Sequence, residues 1–120
     1  GCDMDKTLFV INDPPYGSER SYNGLRLAAA LVKRGGQHVR VFLIGDAVSG
    51  AKAGQVTPDG YYKIENMLRS VSNRQGEIGV CGSCMDARGI TVGELADSCG
   101  RSSMEELTDW EQWADKVLVF

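Results

Sequence analysis

Short continuous apolar runs alternate with stretches of helical periodicity along this chain. Thr7-Leu8-Phe9-Val10-Ile11 is β-branched and aromatic, and it ends at Asn12-Asp13-Pro14-Pro15-Tyr16-Gly17. A continuous run closed by turn residues predicts a strand buried on both faces. From Ser18 to Gly35 the apolar positions Leu25, Ala28, Ala29, Leu31 and Val32 recur at helical spacing, with Lys33 and Arg34 in the last turn and Gly35-Gly36 as a stop. Val39 to Ile44 is a second strand, closed by Gly45-Asp46, and the small residues Ala47 to Gly54 predict a short helix. Thr57-Pro58-Asp59-Gly60 breaks the chain; Tyr61 to Arg74 is helical again, with Ile64, Met67, Leu68 and Val71 on one stripe.

Glu77 to Cys81 reads as a third strand, Gly82 to Asp97 as a helical or partly helical stretch, and Ser98 to Arg101 as a brief fourth strand. Ser103 is an N-cap with Glu106 at the capping-box position, opening a helix that carries Met104, Leu107 and Trp110. Lys116 to Phe120 is a final strand. Strand-helix repetition at this spacing implies parallel pairing, right-handed crossovers and helices on both faces. The expectation is one three-layer α/β domain over residues 4–120, without repeats or linkers. Gly1-Cys2-Asp3, ahead of Met4, reads as a cloning scar or a frayed terminus.

Composition narrows the function classes. The 120 residues are 42% hydrophobic and 24% charged, ordinary values for a globular domain able to bury a real core. No apolar run approaches the roughly 18 residues that span a bilayer, and no signal-peptide pattern opens the chain, so neither membrane nor export is expected. A net charge of -3 with scattered basic residues argues against nucleic acid as a partner. The four cysteines then belong to a reducing cytoplasm, where a close pair is catalytic or metal-binding more often than a structural disulfide.

In open parallel sheets, sites form outside the carboxyl ends of the strands, near a switch in strand order. That rule gathers the loops after the first three strands and brings Cys81 and Cys84 beside Tyr16 and Asp46. A cysteine just past a strand and at the start of a helix faces unpaired N–H groups, a setting that favours the reactive thiolate. Arg88 adds positive charge there, whereas Asp86 opposes it or acts in proton transfer. Cys81-Gly-Ser-Cys84 is thus a site of sulfur chemistry, a metal clip, or a tight turn with buried thiols. Only Cys81, Cys84, Cys99 and His38 are on offer as metal ligands, without a second close pair, so no metal and no cofactor are expected.

Other features read more simply. Cys99 is a small buried hydrophobe, and His38 starts a strand far from the loops. Pro14-Pro15-Tyr16-Gly17 is either a rigid turn or a ligand-facing loop, and Asp46 either a helix cap or a site residue. Ser49 to Gly54 lacks the ending of a phosphate loop. Trp110 and Trp113 belong to the core or to a subunit interface.

"PPYGSE" followed by "LRLAAAL", then "VFLIGDAV", "CGSCMDARGI" and a terminal "ADKVLVF", resemble the DsrE/DsrF-like family over about Asp5 to Phe120. The likeness is to its YchN-type subgroup, related to the TusD subunit of the sulfur-relay complex. It implies a three-layer α/β/α fold with a mainly parallel sheet of about five strands, and a homohexamer with cysteine loops near subunit interfaces. It also implies a persulfide-bearing cysteine ahead of the Arg-Gly pair, which falls on Cys81, and partner proteins that donate and accept sulfur. Cys84 matches a second cysteine of YchN-type proteins that TusD-type ones lack, a thiol able to attack a Cys81 persulfide. The expectation is therefore a cytoplasmic sulfur carrier using Cys81 and Cys84, with Tyr16, Asp46, Asp86 and Arg88 lining the site. The alternatives are a thiol-disulfide redox protein and a non-catalytic oligomeric binding module.

Overall fold

The buried run at the start of the chain becomes the second-last strand of a parallel sheet. In a computed structural model, which describes residues 4–120, β1 (Asp5–Ile11) pairs in parallel with both β2 (Gln37–Leu43) and β5 (Lys116–Val119). β3 (Glu77–Cys81) pairs with β2, and β4 (Gly100–Ser102) closes the far edge, giving the order β4-β3-β2-β1-β5. The reading of residues 1–3 lies outside the described residues. Leu8, Phe9 and Ile11 of β1 and Val41, Phe42 and Leu43 of β2 are buried, as parallel strands covered on both faces must be.

The strand order explains the three layers. From β1 to β4 the chain steps in one direction, so right-handed crossovers leave α1 (Arg20–Arg34) and α2 (Ile64–Ser72) together on one face. It then doubles back to β5 beyond β1, which places α4 (Met104–Trp113) on the other face. Residues alternate sides along a strand, and the contacts follow that alternation. Ile11 meets Gly24 of α1, whereas Phe42, level with Val10, meets Trp110 of α4 edge-on at 6.1 Å between centroids. The three-layer α/β/α fold with a five-stranded parallel sheet is the one the sequence implies.

α4 is held by aromatic and cationic packing. Trp110 is buried over Gly79, where an added Cβ would stand 3.0 Å from the indole. The Arg40 guanidinium lies 4.0 Å over the Trp113 ring and 5.3 Å from that of Trp110, and its Nε meets a Glu77 carboxylate oxygen at 2.8 Å. At the start of the helix the Ser103 hydroxyl accepts the Glu106 N–H at 3.1 Å, as expected. The Glu106 carboxylate, however, accepts the Ser102 hydroxyl, so only half of a capping box forms.

Two stretches sharpen the sequence pattern. The short helix expected over Ala47 to Gly54 is a tight 3-10 helix over Gly45–Ala51. α3 (Gly82–Ala87) ends after six residues, and a single 3-10 turn at Val92–Glu94 follows. A left-handed Gly89 (φ +66°) stops it: Gly89 N–H bonds Asp86 O at 3.2 Å and Ile90 N–H bonds Met85 O at 3.0 Å. That pair of bonds is a Schellman motif, with the apolar Ile90 folding back under the helix. Among the described residues no helix is long and apolar enough to cross a membrane.

A close approach in the core is at Gly24, in the second turn of α1. A Cβ there would stand 2.8 Å from Ile11 Cδ1 and 2.9 Å from Phe120 Cγ. Gly24→Val is therefore expected to destabilise the protein by about 1–3 kcal/mol through overpacking, although glycine is the poorer helix former. A urea-denaturation midpoint equal to that of the native protein would contradict this packing.

Candidate functional site

Cys81 is the last residue of β3 and stands level with Ser102 of the edge strand β4. Its side chain is buried, with the residue 5% exposed, while Cys84, one turn into α3, is half-buried; both are free thiols. The neighbouring loop, after β2, supplies the second wall. Gly45 takes a left-handed φ of +60°, which a side chain would strain, and its N–H points to Cys84 Sγ at 3.3 Å. On the other side, Cys81 Sγ lies 3.4 Å from the Ser83 hydroxyl.

These contacts bias the two sulfurs in opposite directions. Burial pushes the Cys81 thiol up, but hydrogen bonds from the Cys84 thiol, from the Ser83 hydroxyl and from the N–H groups of both residues outweigh it. Cys81 is held below the ordinary thiol range and is the more acidic thiol of the pair. Cys84 is pushed up, first by burial and then by its hydrogen bond to Cys81 and the charge there. The Gly45 N–H and Arg88 offset this only in part. Cys84 is thus the weaker acid of the pair. With six residues, α3 has little macrodipole to offer; local donors set the bias.

Two ion pairs flank the turn. Arg88 donates from Nη2 and Nε to Asp46 Oδ1 at 2.7 and 3.2 Å, and from Nη1 to the Cys84 carbonyl at 3.0 Å. Asp46 and Arg88 thus clamp the loop after β2 to the cysteine helix. Asp86 is gripped on both oxygens by Arg101, at 2.9 and 3.0 Å, and this holds its carboxyl below the usual range. Asp86 is thus the charge partner of Arg101.

Tyr16 lies elsewhere. Its hydroxyl donates to Gln55 Oε1 and accepts the Ile64 N–H at 3.2 Å, which ties the loop after β1 to the start of α2. Its ring packs against Tyr61 and Tyr62 at 6.0 and 5.8 Å, and Tyr22 stacks on Tyr62 at 4.2 Å. The Tyr62 hydroxyl is raised to about 12, chiefly by its hydrogen bond with Tyr61 and then by burial, so this group stays neutral. Tyr16 also borders a cavity of about 360 Å³ with Pro15, Lys52 and Gln55. Among the described residues no hydrogen bond joins it to the cysteine turn.

The switch in strand order falls between β1 and β5, whereas the cysteines stand at the end of β3. At the switch, Asn12 donates from its backbone and its side chain to Phe120 O at 2.8 and 3.2 Å, and the Phe120 ring stacks on Phe9. That crevice is filled by the chain itself. His38 sits edge-on to Trp113 at the opposite end of the sheet, and the partly buried Cys99 has its thiol pushed up by burial.

The profile of the DsrE/DsrF-like family matches residues 5–120. Protein YchN of Escherichia coli strain K12 is 39% identical over 118 residues, covering 98% of this chain and 100% of that protein. The chain belongs to the DsrE/DsrF-like family. An uncharacterized protein of Methanopyrus kandleri is 35% identical over 118 residues, 98% of this chain and 95% of its own length. The crystal structure of the Escherichia coli ychN protein superposes with a TM-score of 0.91, covering 98% of this chain and 100% of that one. A protein of unknown function from Methanobacterium thermoautotrophicum, 11% identical with a TM-score of 0.74, shares the fold alone.

Within this family member, the sequence pattern missed three parts of the site. Ser83 stood inside the quoted motif, and its hydroxyl next to a strand-end cysteine was a usable signal. The Gly45 N–H is a backbone donor and leaves no trace in residue type. Arg101 reaches the turn only through the pairing of β3 with β4, which places it opposite Val80.

The opposed bias predicts the reactivity of the pair. Cys81 should alkylate with a pH–rate midpoint on the acid side of an ordinary thiol, ahead of Cys84 and Cys99. Ser83→Ala removes one donor to the thiolate, raises the Cys81 midpoint and slows its alkylation at neutral pH about two- to fivefold. Iodoacetamide labelling followed by peptide mass analysis checks both statements. Equal midpoints for Cys81 and Cys84 would contradict them.

Proposed function

We propose that this protein is a sulfur carrier that holds sulfane sulfur as a persulfide on Cys81. The observation that supports it is the asymmetry between two free thiols on one turn, Cys81 beside the Ser83 hydroxyl and lowered, Cys84 beside the Gly45 N–H and pushed up. A thiolate attacks the outer sulfur of a donor persulfide, forming a bond from Cys81 Sγ to that sulfur while the donor thiolate departs. The donors around Cys81, Ser83 and the Cys84 thiol among them, favour the negative sulfur that results. Asp46 and Arg88 keep Cys84 in place from the loop after β2. Membership of a family associated with sulfur relay supports the same reading.

Cys84 also gives the carrier an exit. As a thiolate it can attack Cys81 Sγ, breaking the bond to the outer sulfur, which leaves as hydrosulfide and leaves a Cys81–Cys84 disulfide behind. An external dithiol then restores the pair. The placing of two free thiols three residues apart on one turn equally favours a second reading, a thiol-disulfide redox protein in which that disulfide is the product of interest. In the carrier reading the protein works in the cytoplasm as a homohexamer and exchanges sulfur with donor and acceptor proteins, features that rest on the family likeness.

Incubation with inorganic polysulfide followed by intact-mass measurement tests the proposal. The expected result is an adduct of about 32 Da, one sulfur atom, absent from Cys81→Ser and longer-lived in Cys84→Ser. A disulfide that forms without any such adduct would instead support the redox reading. No adduct dependent on Cys81 would overturn the carrier.

A further inference from the structure

Arg101 takes no part in the exchange between Cys81 and Cys84, yet its placement is specific. β4 is three residues long, and its pairing with β3 puts Arg101 opposite Val80 and Ser102 opposite Cys81. From there the side chain crosses to the start of α3. A Cβ added to Gly82 would stand 2.8 Å from Arg101 Cζ and Nε and 2.9 Å from Nη2. Glycine at 82 is thus what allows a guanidinium to lie against the backbone of the residue next to the Cys81 thiolate.

The fork of that guanidinium is already engaged by a carboxylate. Nη1 and Nη2 each donate to a different oxygen of Asp86, the bidentate geometry by which arginine recognises carboxylates. Both side chains stand on the surface, Arg101 at 42% and Asp86 at 65% exposed. An ion pair so open to water is weak, and a competing carboxylate can take the place of Asp86.

We propose that Arg101 receives the carboxylate of a small thiol acid whose persulfide group delivers sulfur to Cys81. This rests on the carrier reading and names its donor class. Because the guanidinium covers residue 82 and the acceptor is the sulfur of residue 81, the donor's carboxylate and sulfane sulfur must lie only a few bonds apart. A low-molecular-weight thiol acid meets that limit. In the transfer, the Cys81 thiolate attacks the outer sulfur of R–S–SH. A bond from Sγ to that sulfur forms and the donor S–S bond breaks. The inner sulfur leaves with the bonding pair as R–S⁻, the proton stays on the transferred sulfur, and nothing is oxidised overall. Arg101 offsets the repulsion between an anionic donor and an anionic nucleophile, and Asp86 competes with the donor for the same fork.

The test compares two donors that differ only at the acid group, the hydropersulfides of N-acetylcysteine and of N-acetylcysteine amide, by the rate of one-sulfur adduct formation on Cys81. In the native protein the acid should react faster, by about tenfold at low salt, as one charge-assisted bidentate contact would give. The acid-to-amide ratio should collapse towards one in Arg101→Gln, persist in part in Arg101→Lys, and rise in Asp86→Asn, where the competing carboxylate is gone. A native ratio near one, or a ratio that Arg101→Gln or Asp86→Asn fails to move in these directions, overturns the assignment of Arg101 alone. Absence of a Cys81 adduct with both donors and with inorganic polysulfide overturns the carrier reading and this inference with it.

Discussion

Parallel pairing obliges β1, β2 and β3 to finish at the same end of the sheet, and the arrangement of the cysteine turn depends on that obligation. The register pairs Leu43 of β2 with Val80 of β3, so Cys81 stands one step further on, level with the point where β2 turns into Gly45. A slip of one residue would exchange the side chains of β3 between the two helical layers and separate the Gly45 N–H from Cys84. The hydrophobic core therefore does more than hold the strands together. Phe42 against Trp110 and Ile11 against α1 fix the alternation from which the sulfur positions follow.

Much of this was legible in the sequence because it is a burial pattern. Continuous β-branched runs marked β1, β2 and β3, and the stripe through Leu25, Ala28 and Val32 marked α1, since these residues face an interior with no water on either side. Cys81 at a strand end was legible for the same reason. The rest depends on contacts between residues far apart in the chain. β4 has only three residues at an edge and no periodicity to betray its partner, so the reach of Arg101 to Gly82 had no local signal. Tyr16 stands in a loop of the expected kind, but its hydroxyl is claimed by Gln55 and Ile64 from a segment that folds back over it. The early stop of α3 at Gly89 needed a bond to Met85 that a glycine predicts only in retrospect.

The electrostatics of the cysteine turn are short-ranged. Arg88 is paired with Asp46 and Arg101 with Asp86, so each cation near the sulfurs already faces an anion. What separates Cys81 from Cys84 is a set of dipoles: a hydroxyl, a thiol and backbone N–H groups within hydrogen-bonding distance. Such contacts act over a few ångströms and are little affected by salt, unlike full charges on the surface. The strand-end position contributes by fixing where these groups stand, and the short α3 by bringing Ser83 and Cys84 back towards residue 81.

The contact from Gly45 to Cys84 has a consequence for how this site varies through evolution. Its donor is main-chain nitrogen, which every amino acid except proline possesses, so drift in side chains around the turn leaves it untouched. What selection must preserve at position 45 is a backbone handedness, and glycine satisfies it without strain. Two relatives can therefore share the environment of the second sulfur while sharing few of the side chains that surround it.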